Sequence, residues 1–427
     1  MACHLENDQD LRLASSASVP SGAYTPRTMA TPFTASALQP LTTVFVIQVL
    51  MTMAAYGIAV LVPEAAADIG IAPESVGFLT ATLYFTAMPT GLLSAFIINR
   101  LGATRTFQLL LLFIGLGGVS LMAAHPLLAY LGAALIGAGT GPMNPTGSHV
   151  LLRTAPDNWK PLFFSLKQCG TPAGGILAGA ALPALAVLYD WRVALALLPV
   201  GALMLIALAP LGQLGGRERP GESSRNETDV LASIRLALST RERASVAVLG
   251  AIMGACQLAM ASYFVVYLVS HVGLDVVKAG GVFVVFHVSG IVARVLLGVL
   301  AERALSTQAL LALLAFIMAS AIALLTQFET TPNWWLIYAT TAALGVSANG
   351  WVGLFFAEVA RLAPSGQAVF VTGGAQFIMY IGIVLGPVIF GTLLTATGNY
   401  DVCFALFASL AVVCGLLVVS AQRPARV

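Results

Sequence analysis

Charge is what this sequence lacks most. Aspartate, glutamate, lysine and arginine make up only 9% of its 427 residues, where a soluble domain carries roughly a quarter. Most of such a chain cannot face bulk water. Acid is missing where it would matter most. Of eighteen Asp and Glu, none falls in the middle of a long apolar run. Glu64 and Asp68 follow the first run and Glu358 closes the tenth. Coupling through a buried carboxylate is therefore not visible, and a pump for cationic drugs, which needs a buried negative charge, is disfavoured. The five cysteines are scattered (Cys3, Cys169, Cys256, Cys403 and Cys414); they form neither a disulfide framework nor a zinc pattern. His149 and Glu358 add no metal ligands, so no cofactor is implied. The segment GTGPMNP (139–145) lacks the Lys-Ser/Thr ending and preceding strand of a phosphate loop. A formal charge of +2 is too small to imply nucleic acid. Residues 1–41 are polar and have no apolar centre, so they are no secretory signal and read as a disordered tail.

What is abundant is apolar side chains, 58% of residues, and beside them 41 glycines. That suits packed membrane helices. A helix crossing a bilayer needs about 20 apolar residues. Twelve such runs can be traced, near 42–63, 77–98, 106–124, 127–150, 162–188, 193–214, 245–270, 279–300, 308–327, 334–357, 368–396 and 402–421. The expected fold is thus an all-α membrane protein in a lipid bilayer. The fourth, fifth and eleventh runs contain Pro and many Gly, which predicts kinks.

Twelve spans put both termini on one side. Of the twenty Lys and Arg, sixteen then fall on the side of the termini. Arg192 and Lys278 fall on the other, and Lys167 and Arg294 lie within spans. Positive charge stays cytoplasmic, so both termini are expected inside. The hydrophilic segment 215–244 divides the spans into bundles at 42–214 and 245–421, with a short tail at 422–427. The halves echo each other. Ala95 leads to Asn99 and Arg100 as Gly298 leads to Glu302 and Arg303. Gly175-x-x-x-Gly179 precedes Pro183 as Gly382-x-x-x-Gly386 precedes Pro387. A duplicated six-helix unit explains both.

These features resemble the major facilitator superfamily of secondary transporters over about residues 42 to 421. The family's loop after spans two and eight reads roughly G-x-x-x-D-R-x-G-R-[KR]. Here it stands as Ala95, Asn99, Arg100, Gly102 and Arg105, and again as Gly298, Glu302 and Arg303. "FSLKQCGTPAGG" and "GIVLGPVIFGTLLTATGNY" are similar to bacterial carriers of the cyanate, nitroimidazole and monocarboxylate-type branch. The resemblance implies two pseudo-symmetric six-helix bundles, rocking about a midplane site, in a bacterial inner membrane. It makes the two loops gating latches, the first weakened because Asn99 carries no charge. It also implies an anion-binding arginine in span eight, as in carboxylate carriers. Some oxalate carriers add a lysine in span eleven, where this chain has Gln376.

Arg294 is the residue that calls for an explanation. It lies eight residues before Glu302, about 12 Å in from that end at 1.5 Å per residue. An arginine at that depth costs about 2.5–3.5 kcal/mol on insertion scales. Its guanidinium either binds an anionic substrate or caps a protein group. His287, two turns earlier on the same face, either carries a proton or is a buried neutral ring. Lys167 either snorkels or joins the cavity with its neighbour Gln168. Gln48 and Tyr56 in span one, Tyr84 in span two, Gln257 and Tyr263 in span seven, and Asn349 in span ten suit a small polar ligand in an apolar pocket. The expected substrate is a small organic anion or polar metabolite, moved with protons or against a counter-anion. The competing expectation is an exporter of a siderophore or drug. No catalytic constellation suggests an enzyme.

Overall fold

The computed structural model describes residues 35–156, 159–208, 214, 230–303, 305–328, 333–365 and 367–421. Among them there are helices and no strands. The first bundle contains α1 (Ala35–Ile69), α2 (Val76–Leu92), α3 (Ser94–Met122), α4 (Pro126–Thr140), α5 (Met143–Thr154), α6 (Lys160–Gln168), α7 (Gly170–Leu188) and α8 (Trp191–Leu208). A short helix, α9 (Val230–Ala237), follows. The second bundle contains α10 (Arg241–Ser270), α11 (Val276–Arg303), α12 (Thr307–Leu325), α13 (Trp334–Arg361), α14 (Ala368–Thr397) and α15 (Tyr400–Ala421).

Eleven stretches among the described residues are long and apolar enough to cross a bilayer. The twelfth pass is obscured by how its helix breaks. α2 is only 17 residues long, yet helical bonds continue across Leu93, from its N–H to Pro89 C=O and from Ile97 N–H to Leu93 C=O, both 3.0 Å. The reversal comes later, at Gly102, whose φ of 79° and ψ of 161° are not helical. Pass two therefore spans 76–101 and pass three 103–122.

Spans four and five are each built from two helices, as their prolines predict. A proline has no N–H and collides with the carbonyl four residues back. Pro142 thus separates α4 from α5, and Cys169 sits at the junction of α6 and α7. Polar caps mark other ends. Thr240, Ser306 and Asn333 accept from the N–H groups of Arg243, Ala309 and Leu336, each cap contributing about 1 kcal/mol. Leu127, Leu188 and Leu203 are exposed, as apolar side chains facing lipid tails should be.

α9 was not foreseen within the 215–244 linker. It lies against α14, where a side chain at Gly374 would strike the backbone of Ser233 and Ile234. α1 already begins at Ala35, inside the tail expected at 1–41; residues 1–34, the tail at 422–427 and linker residues 215–229 lie outside the described residues.

Candidate functional site

Alternate helices run in opposite directions, so twelve passes give a termini face and a far face. Near the far face the two bundles interlock. The Tyr263 hydroxyl, from α10, donates to Glu74 C=O at 2.9 Å and to Pro387 C=O at 3.4 Å. Gly77 lies beneath that ring, where a Cβ would clash with the hydroxyl. Gly179 of α7 and Gly280 of α11 stand backbone to backbone, each too close to the other for any side chain.

One level deeper lies His287. It is fully buried, and neither ring nitrogen has a hydrogen-bond partner. Its ring packs edge-on to Phe283 at 4.7 Å and Phe286 at 5.0 Å, and against Tyr56 of α1 at 4.8 Å. From α7 it meets Gly175, where a methyl group would overlap the imidazole.

Deeper again, Arg294 joins the bundles. Its Nε donates to Asn349 C=O on α13 at 3.0 Å, and its Nη1 donates to Gln168 C=O in the other bundle at 3.2 Å. Gln168 ends α6. Its carbonyl is free because residue 172, four positions on, is Pro172 and has no N–H to offer. The two bonds leave three of the guanidinium's five N–H groups without a protein acceptor among the described residues.

Lys167 does not snorkel. It is 2% exposed, and its Nζ donates to Asn144 C=O at 3.0 Å and Ser148 Oγ at 3.2 Å. Gly147 leaves room for its stem. Among the described residues, no carboxylate lies within ion-pair distance of Lys167 or Arg294. The ion pairs among the described residues include Arg192 with Asp68 and Asp190, Lys278 with Asp275, and Arg361 with Glu358.

On the termini side of the seal lies a cavity of about 130 Å³, lined by Gly91, Gly141, Asn144, Gln376, Phe377 and Tyr380 among others. Tyr84 lies within electrostatic reach of Tyr56 and Tyr380, and Tyr56 within reach of Arg294.

The other expected residues separate into groups. Gln48 is buried and its Nε2 bonds Thr52 and Thr171. Gln257 accepts from the Trp351 indole at 3.0 Å. The Asn349 amide is spent on the carbonyls of Phe286 and Gly345. Tyr263 belongs to the far-face seal, and the Gln168 side chain is exposed. In the first latch loop Asn99, Arg100 and Arg105 are exposed, with Arg100 over the Phe96 ring at 5.9 Å, and Gly102 makes the turn. Gly298 is exposed with open space around it. The side chains of Glu302 and Arg303 lie outside the described residues. Pro172, Tyr380 and Gly280 were missed. For Pro172 the signal was present, since a proline four residues after Gln168 marks a freed carbonyl.

Comparison with known proteins agrees with this architecture. A family model described as Major Facilitator Superfamily matches residues 44–387. Human monocarboxylate transporter 11 is 31% identical over 261 residues, 58% of this chain and 54% of that protein. The chain thus spans about half the length of that curated relative. A structure of the nucleoside transporter NupG superposes with a TM-score of 0.76 at 12% identity, covering 90% of this chain and 100% of that one. A peptide transporter of the POT type superposes at 0.72 with 15% identity, covering 90% and 94%. At such identities the likeness is one of fold.

Proposed function

We propose, given that this chain belongs to the major facilitator superfamily of membrane transporters, that it carries a small organic anion across a bacterial inner membrane by alternating access. Membrane transport follows from the family, and the anion is our reading of the site. One observation carries it: Arg294 lies between the bundles with unassigned N–H groups and, among the described residues, no carboxylate in reach. Arg294 is partly buried; a charge withdrawn from water without a counter-charge is expensive, and an anionic ligand supplies the counter-charge. Lys167, cationic and tied only to neutral oxygens, raises the local positive potential.

Cavity size supports a small ligand. Pockets for drug-sized ligands run about 300–1,000 Å³, and the space beside Gln376 and Tyr380 is about 130 Å³. The similarity to a protein named monocarboxylate transporter 11 is in keeping with a carboxylate. With both termini cytoplasmic, the closed far face is periplasmic, and this conformation faces inward.

A thermal-shift screen of the purified protein against organic acids tests the reading. L-lactate or oxalate should stabilise the wild type by RT ln(1 + [L]/Kd), about 2.7 kcal/mol at a hundredfold excess over Kd. Arg294→Ala should abolish that shift while still inserting in the membrane. Arg294→Lys should fail as well, since an ammonium cannot hold Asn349 C=O and present a planar fork at once. Undiminished binding in Arg294→Ala would remove this residue from the site.

A further inference from the structure

We propose that Arg294 also fastens the two bundles together when no substrate is bound, and that Pro172 is the positioning residue that makes this possible. The fastening needs no substrate; its release by an anion rests on the reading of Arg294 given above.

The chain of cause begins in the sequence. In an unbroken helix the Gln168 carbonyl would accept the N–H of residue 172. Pro172 has none, so the carbonyl must find another donor. The donor comes from the opposite bundle, as Arg294 Nη1 at 3.2 Å. Arg294 cannot swing freely, because its Nε is held by Asn349 C=O of its own bundle at 3.0 Å. One edge of the guanidinium is thus anchored on α13 and the other reaches across to the end of α6.

A carboxylate is bound best by two parallel N–H groups. With Nε anchored, the edge left for it is Nη1 with Nη2. Nη1 already gives one of its two N–H groups to Gln168. A carboxylate seated on the Nη1–Nη2 edge must share Nη1 with the Gln168 carbonyl and draws the guanidinium toward itself, so binding loosens the contact that holds the bundles in this conformation. A ligand shifts a conformational equilibrium only by its differential affinity for the two states, and here the competition supplies that difference. The empty carrier stays fastened and the loaded carrier is released. Exchange of one anion for another should then outrun net movement.

Pro183 gives an internal contrast. It likewise frees the Gly179 carbonyl, but that carbonyl faces the Gly280 backbone, and among the described residues no cationic side chain donates to it, so no anion competes there.

The experiment uses the full chain in nanodiscs, with paired spin labels at Ala72 and Thr397, both exposed at far-face ends of opposite bundles. The labels report the fraction open at the far face. Without ligand, Pro172→Ala, which restores the N–H at position 172, should raise that fraction at least threefold, as should Arg294→Ala. The double variant should add nothing to Arg294→Ala, because both changes remove one interaction. Pro183→Ala should add its full effect in either background. Pro172→Ser restores the same N–H if the alanine variant does not insert. An unchanged distribution in the Pro172 variants, or full additivity with Arg294→Ala, would overturn the fastening. With L-lactate or oxalate, the open fraction should rise saturably in the wild type alone. Fastening that behaves as expected while neither anion shifts the labels would sink the anion reading and leave the fastening standing.

Discussion

Gly175 and His287 show how much can hang on a single hydrogen atom. The imidazole is fully buried, gains no hydrogen bond, and fits only because the facing residue of the other bundle has no side chain. Two unmet polar nitrogens cost about 1–3 kcal/mol each, so packing alone does not explain a histidine there. Its seat is at the interface between the bundles, which the proposed alternating access would part. Gly175→Ala should hold the far face open and cut transport at least tenfold, with insertion intact. His287→Ala, which removes the ring the new methyl strikes, should restore closure in the double variant. Spin-label distances across the far face check both, and normal closure of Gly175→Ala alone would refute the contact. Arg294 and His287 could be singled out from sequence because polar groups deep in apolar runs are rare. What could not be seen was where their side chains end, since Gln168 lies more than a hundred residues from Arg294. Lys167 was ambiguous for the same reason. Its place near a span end allowed snorkelling, and only the packing of α5 on α6 brings Asn144 and Ser148 to its ammonium.

At the scale of helices, long apolar runs carry most of the information. The ninth run, expected at 308–327, folds as Thr307–Leu325, and the prolines in runs four and five mark real breaks. The reversal between passes two and three, between the runs expected at 77–98 and 106–124, falls at Gly102. Its φ of 79° with ψ of 161° lies in a region that is essentially glycine's own. Gly102→Ala should therefore destabilise the protein by about 1–3 kcal/mol, read as a fall in thermal unfolding temperature. An unaltered unfolding temperature would mean that the turn can be made another way. α9 escaped notice because eight residues are too few for an apolar-run search. Leu231, Ile234 and Leu238 follow i, i+3, i+7 spacing, but the face that is buried is that of Ser233 and Ala237. It ends up against Gly374, whose neighbour Gly373 lines the cavity.

Across the whole molecule, the internal repeat seen in the sequence is put to unequal use. Gly175 and Gly179 open α7 to the opposite bundle, whereas Gly382 and Gly386 pack α14 on Ala251 and Ala255 of its own bundle. The later prolines of both copies nevertheless serve one seal, Pro183 beside Gly280 and Pro387 beneath Tyr263. One face is thus closed, and charge indicates which side of the membrane it is on. Both basic residues of the far face are matched locally. Arg192 meets Asp68 at 3.0 Å and stacks over Trp191 at 4.4 Å, and Lys278 meets Asp275 at 2.7 Å. The termini face holds most of the remaining arginines, among them the exposed Arg100 and Arg105. A segment dense in Lys and Arg resists translocation, so the far face should be the periplasmic one. Cysteine labelling decides it. Lys278→Cys should react with a membrane-impermeant maleimide in intact cells, and Arg105→Cys only after lysis. The reverse pattern would turn the protein over in the membrane and make the conformation seen here outward-facing, with its cavity beside Gln376 and Tyr380 loaded from outside.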